Sequence, residues 1–555
     1  MAYLAVGFWV LNGLWIGPSG RTLADNPADQ VLVEWFLAHH GNHFGLLTHA
    51  LNAPDGVNLL ANASTIGLGV LFAPVTWLFG APATFALVAT LNLAGTAIAW
   101  YLLFARTLKA NQLGAALGGA FCGFAPGMIS QNNSHLHMTA QWLVPVMVWC
   151  VVRMLRAAEE GRRTVVIPLV LGVLAAAQVF IGEEVLFLAA LTLALMAVGY
   201  ALAAPRYVAK VAPRFAVSAG IAVAVGVALL TYPLWFQFDG PQSVPNAPFP
   251  AAYYSADVAS FTATSPLSLL GGPDTARLAT GPAEYNTFLG WPLVLASLAA
   301  VVWLWRRRPL VPAIALAAAV MTAFSLGPRV VIDGERTDQW APFSLILDAP
   351  VISAALPQRF ALALIPLIGT LIALAVDKAM ADEWPALRVL VPAIAVVALL
   401  PVAPAPLPTM DRPAPPVFFS AGHWKQCVRP GGVLVPVPLP TPQEPWPMRY
   451  ATATGVGFRL PEGFFIAPYG PEGRASMGTY KQPTSQLLAN VAAGQPVVVG
   501  EAERAQAAAD VAFWGASCVV LPDGAANQIQ LRTTVDALFG PGERIADAWV
   551  WKVSS

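Results

Sequence analysis

Charge is what this chain has least of. Only 11% of its 555 residues are Asp, Glu, Lys or Arg, where a soluble protein carries about 25%. The 30 basic and 30 acidic residues cancel, so there is no positive surplus to hold a nucleic-acid backbone. Cysteine is almost missing: the chain has four, none at a metal-binding spacing. Cys122 and Cys150 fall in apolar runs and read as small buried residues. Cys427 and Cys518 fall near the C-terminus, where a disulfide is permitted if that region lies outside the cytoplasm. A cleavable leader is missing too. The stretch from Tyr3 to Ile16 is apolar, but it has no basic n-region and no A-x-A site. At about 14 residues it is short for a span, which needs about 20, so we expect the natural start upstream of Met1. No solenoid-type repeat is visible.

Apolar sequence is abundant: 57% of residues are hydrophobic and the mean hydropathy is +0.62. Long apolar runs lie near 83–104, 113–130, 139–156, 165–181, 184–203, 215–234, 287–305, 309–326, 359–376 and 387–405. With the first segment, about eleven crossings are expected. Basic clusters recur at Arg106/Lys109, Arg153/Arg156/Arg162/Arg163, Arg206/Lys210/Arg214, Arg306–Arg308 and Lys378/Arg388. Two apolar segments separate each cluster from the next, so all of them face one side, the cytoplasm. A crossing by the run Ile66–Phe79 would break that alternation. With Pro74 inside it, this run reads as an interface-lying segment. The expected fold is therefore a polytopic α-helical membrane protein over residues 1–405, about eleven spans plus juxtamembrane helices, with long outer loops at 17–82, 235–286 and 327–358. Its neighbours in sequence, 406–555, read as a soluble extracytoplasmic α/β domain behind a Pro-rich linker, PVAPAPLPTMDRPAPP. Strands are expected in GVLVPVPLP, SCVVLP and DAWVWKV, and helices over 501–512 and 526–538.

The outer side holds the unusual polar groups and all seven histidines, six of them in its loops and His423 in the C-terminal region. In DNPADQVLVEWFLAHH (25–40), Asn26 caps a helix and Pro27 suits its first position, which puts Asp29 in the first turn. Val31, Leu32, Trp35 and Phe36 face an apolar medium while Gln30 and Glu34 share the other side, as in a helix lying on a membrane surface. Asp29 is open to two readings, an acid favoured by the helix dipole or a functional carboxylate. In NNSHLHMTAQW (132–142), His135 and His137 stand two apart, too close for one helical face. They could ligate a metal, bind a phosphate or sugar beside Gln141, or simply be polar loop residues. Glu183 and Glu184, in IGEE between two spans, place an acid at membrane depth, a functional candidate by default; pairing with Arg359 or a histidine is the structural alternative. Arg359, in ALPQRFALAL, suits a lipid-linked phosphate or an interface anchor. Tyr253, Tyr254 and Asp257, in PAAYYSADVASF, form a weaker sugar-site candidate, and Asp55 in NAPDGVNLL reads as a turn residue.

This order of features, together with the phrases NAPDGVNLLAN, FAPGMISQNNSHLHMTAQWLVPV and ALPQRFAL, resembles the GT-C superfamily of membrane glycosyltransferases, closest to bacterial aminoarabinose, arabinose and mannose transferases. The resemblance implies a polyprenyl-phosphate sugar donor, a glycan or glycolipid acceptor in the cell envelope, and transfer at the outer face of the cytoplasmic membrane. It implies that the first-loop carboxylate, Asp29, is the base. Glu183 and Glu184 are then candidate second catalytic acids, and His135, His137 and Arg359 candidate donor-phosphate ligands. Gln141, Tyr253, Tyr254 and Asp257 would bind substrate. Many members place the second acid one loop earlier, where this chain has histidines, so a divalent cation is left open. The rival readings are a transporter or flippase of lipid-linked saccharides, and a non-catalytic envelope-assembly protein.

Overall fold

The computed structural model describes residues 1–553 except 247, 348, 350, 351, 353 and 354. Part of the 327–358 loop therefore lies outside the described residues. Seven helices among those described are long and apolar enough to cross a membrane, and two shorter apolar helices, Trp291–Leu304 and Leu310–Ser325, join them. The protein is a multi-pass helical membrane protein. Of the difference from eleven expected segments, one part is the first segment, whose helix Ala2–Val10 has only 9 residues, and the other has a geometric source. Val166–Ala203 is continuous in hydrogen bonding but breaks at Gly182 (φ −175°, ψ 101°). A straight helix of 38 residues would be about 57 Å long. Instead Tyr200, near its end, packs its ring 5.7 Å from Tyr207, which lies beside Glu159, just before its start. The helix is folded back on itself, with IGEE at the bend.

Small residues set the helix packing. Gln112–Phe124 carries glycines on two faces: a Cβ at Gly114 would sit 2.8 Å from the Ala373 carbonyl, and one at Gly119 would sit 2.9 Å from that of Ala97. Two neighbouring helices thus approach its backbone closely, as small-residue stripes permit in membranes. Ala73–Leu102 is interrupted at Gly80 (φ 81°, ψ 163°). That break separates 66–79, whose Val70, Leu71, Trp77, Leu78 and Phe79 are exposed, from the long helix behind it.

Two expectations change. The helix Pro27–Asn42 does not lie on a surface; Gln30, Glu34 and nearly every residue from Val31 to Gly41 are buried. Its polar side is covered by residues from beyond 405. The Pro-rich stretch is likewise no free linker, because several of its N–H groups are paired with other parts of the chain. Leu407 donates to the Val10 carbonyl (2.8 Å), Ala405 to that of Leu267 (3.0 Å), and Thr409–Asp411 forms an antiparallel pair with Arg21–Leu23. Further on, Val433–Pro436 and Ala516–Pro522 run parallel, with Ala548–Lys552 and Glu543–Ile545 completing a four-stranded sheet. Glu501–Trp514 and Gln528–Phe539 pack against it. Cys427 and Cys518 form a disulfide with Cα atoms 5.6 Å apart.

Candidate active site

Asp29 opens the site. Asn26 precedes the helix and Pro27 starts it, so the carboxylate stands in the first turn beside unsatisfied backbone N–H groups. The Asn26 amide donates to Asp29 Oδ2 (2.7 Å), and His135 Nε2 meets the same oxygen at 3.1 Å. Burial alone would raise this carboxyl. The hydrogen bond and charge of His135, the Asn26 amide and the Arg359 charge outweigh it and hold Asp29 below its usual value. Its side chain keeps 26% of its exposure, so a substrate hydroxyl can reach it.

From Asp29 a chain of polar contacts runs inward. His135 Nδ1 meets Gln131 Oε1 (2.9 Å); Gln131 Nε2 donates to Asn286 Oδ1 (2.8 Å) and Glu284 Oε2 (3.2 Å). Glu284 accepts the Arg359 guanidinium at Nε (3.0 Å) and Nη2 (2.5 Å). Arg359 Nη1 then reaches Glu184 Oε2 at 2.7 Å. The Glu284 side chain is 8% exposed against 22% for Glu184, so the first is a fixed partner and the second stands at the rim. Burial would raise the Glu284 carboxyl; the Arg359 charge and hydrogen bonds reverse that and lower it.

The sequence candidates divide accordingly. Asp29, His135, Glu184 and Arg359 are brought together. Glu183 is not: successive helical residues point about 100° apart, and its carboxylate takes the Gln237 amide at 3.0 Å on both oxygens. His137 is 5.6 Å from His135 ring to ring, with a buried Nδ1 that has no partner among the described residues. Its carbonyl packs so closely on Gly182 that any Cβ there would collide. Asp257 is used structurally; it accepts the N–H groups of Ala259 (2.8 Å) and Asp333 (3.0 Å), which fixes a hairpin. Tyr253 stacks under Arg336 (5.3 Å), while Tyr254 feels the charges of Glu284, Arg359 and Asp29. Gln141 donates to the Met138 carbonyl (2.9 Å) and lines the groove described below. Sequence reasoning missed Glu284, Gln131 and Asn286. Glu284, an outer-loop acid just ahead of the Trp291 helix, was open to the same depth argument as Glu184.

An apolar cavity of about 560 Å³ adjoins the network. One end is lined by Gln141, Val185 and Leu362, within a turn of Glu184 and Arg359; the other is lined by Tyr200, Tyr207 and Leu310. No group of three or more His, Cys, Asp or Glu among the described residues is placed to hold a metal. Asp29, Glu184 and Glu284 are each engaged by His135 or Arg359.

No curated protein matches the sequence. Among solved structures, the mycobacterial arabinofuranosyltransferase AftD aligns with 100% of this chain and 39% of its own, at 14% identity and TM-score 0.50. This chain thus spans well under half of that protein. The oligosaccharyltransferase AglB of Archaeoglobus fulgidus, solved with an inhibitory peptide and a dolichol-phosphate, aligns over 94% and 68% (11% identity, TM-score 0.43). ArnT of Cupriavidus metallidurans aligns over 99% and 96% (12% identity, TM-score 0.43). These are GT-C glycosyltransferases, and the likeness to AftD shows a shared fold. Residues 1–402 match the family described as Domain of unknown function (DUF6311), which covers most of the chain, and the protein belongs to that family.

Proposed function

We propose that the protein transfers a sugar from a polyprenyl-phosphate donor to a glycan or glycolipid of the cell envelope, at the outer face of the cytoplasmic membrane. The observation that carries this reading is a partly exposed carboxylate, Asp29, linked through side chains to a guanidinium, Arg359, three residues ahead of Leu362 in the wall of an apolar groove. Along the helix from Val185 to Tyr200 the groove runs about 22 Å, room for an isoprenoid tail with its phosphate beside Arg359. Asp29 takes the acceptor hydroxyl proton, the oxygen attacks the anomeric carbon, and the bond to phosphate breaks with inversion. General-base help of this kind contributes about 10²–10⁴-fold. His135 fixes the carboxylate orientation, and Arg359 stabilises the leaving phosphate.

Arg359 is already held by two carboxylates, whose charge repels a donor phosphate, so the phosphate binds best when one of them moves away. Glu184, single-bonded and at the rim, is the one that yields, while Glu284 keeps the guanidinium aimed. The disulfide supports an extracytoplasmic side for the C-terminal region. The test is transfer by purified protein in lipid, with radiolabelled polyprenyl-phosphate sugars and an envelope glycan acceptor. Asp29→Asn should abolish turnover and keep donor binding. If wild type turns over no donor and Asp29→Asn behaves identically, the transferase reading falls and the groove becomes a carrier site.

A further inference from the structure

The helix that presents Asp29 is tied, on its other side, to residues beyond 405. Gln30 and Glu34 stand four residues apart and share that side. Gln30 Oε1 accepts from Thr22 Oγ1 (3.0 Å) and from Leu23 N (2.8 Å), and its amide donates to Glu34 Oε1 (2.8 Å). Arg412 completes the arrangement with Nη1 on Glu34 Oε2 (3.0 Å) and Nη2 on Oε1 (2.8 Å), plus a bond to the Pro18 carbonyl (2.9 Å). The two charged side chains are 0% and 1% exposed. Around them Arg21–Leu23 pairs with Thr409–Asp411, Arg449 donates to the carbonyls of Pro413 (2.6 Å) and Ser19 (3.1 Å), and Met448–Ala453 packs on the Asp29 helix.

Full burial of an ion pair is a poor way to gain stability, since apolar residues of equal volume usually serve as well or better. What a forked, two-point contact does supply is orientation. We infer that Glu34 and Arg412 are positioning residues: the C-terminal region clamps the Asp29 helix in rotation and height, so that the carboxylate meets His135 and the acceptor. The inference rests on the reading of Asp29 as base. It makes the residues beyond 405 part of the reaction apparatus as well as a covering for it.

The test uses the full chain in lipid with the double substitution Glu34→Leu/Arg412→Met, which removes both buried charges and keeps packing. Arg412→Lys, which keeps charge and loses the fork, serves where the double variant does not fold. Two readouts are taken on folded protein: transfer kinetics, and the rate at which a water-soluble carbodiimide labels Asp29, followed by mass spectrometry. The expected result is a kcat lower by about tenfold to hundredfold, as angstrom-scale misplacement produces, with donor KM unchanged and Asp29 labelled faster than in wild type. Wild-type kcat and wild-type labelling in a folded variant would overturn the inference. Faster labelling in a variant, where wild type itself transfers no sugar, upholds the clamp and removes only the transferase reading.

Discussion

At Arg359 the arithmetic of charge decides what each residue can do. One guanidinium faces Glu284 and Glu184, and removing it leaves two acids uncompensated at depth. Arg359→Met should therefore destabilise the protein by about 3–5 kcal/mol, read as a lowered melting temperature in lipid. Arg359→Lys keeps the charge but loses the fork and should recover part of that. Glu184→Gln should lower the donor KM, since it relieves the competition for Nη1, whereas Glu284→Gln should lower kcat by letting the guanidinium turn. A donor KM that rises in Glu184→Gln would show that Glu184 holds the donor and does not yield to it. Both Asp29 and Glu284 ionise more readily folded than unfolded. The stability they contribute is thus present above the ordinary carboxylate range, about 4, and is lost as pH falls through their lower folded values. Melting curves between pH 5 and 2 should show that loss, with a shallower slope in Asp29→Asn.

Among the elements, the bend at Gly182 and the buried Asp29 helix mark where sequence reasoning succeeds and where it stops. The acids of IGEE were legible as a turn between apolar runs because their cost at membrane depth is independent of tertiary detail. Strands such as Ala516–Pro522 and helices such as Glu501–Trp514 were legible from their local pattern. The environment of Gln30 and Glu34 was not, because their partner Arg412 is 378 residues away from Glu34 and no local period records it. Glu284 escaped for a similar reason: Arg359, which makes its burial tolerable, is 75 residues distant. A helical substitution tests the bend directly. Gly182→Ala would drive a methyl into the His137 carbonyl, shifting the His135 loop, and should reduce both melting temperature and transfer. In the C-terminal region Glu462 is buried, and burial pushes its carboxyl up to about 7 against the Ser485 hydrogen bond and the Lys481 charge. An acid with a raised folded pKa contributes stability that is full below its unfolded value, about 4.3, and lost as pH rises through about 7. Glu462→Gln should remove that pH dependence and stabilise the protein at pH 8.

Taken as a whole, the molecule joins its two ends. The hydrophobic core that holds Val31 and Trp35 also holds Phe418, Trp424 and Met448, and the Cys427–Cys518 bond closes a loop of 91 residues within the later part. Cys518→Ser should cost about 2–4 kcal/mol. In intact cells, a membrane-impermeant thiol reagent should label Cys427 in that variant if the region faces outward; protection until the membrane is opened would reverse that orientation. The strand pair between Arg21–Leu23 and Thr409–Asp411 has a bearing on biogenesis. At about 5–20 residues per second, the ribosome delivers Arg412 roughly 20–75 s after Glu34, given their separation of 378 residues and that pace. During that interval the helix that carries Asp29 has been inserted without its clamp. A nascent or truncated chain that ends before Arg412 would thus hold every membrane segment and still transfer about tenfold to hundredfold more slowly, and full rate would await the residues beyond 405.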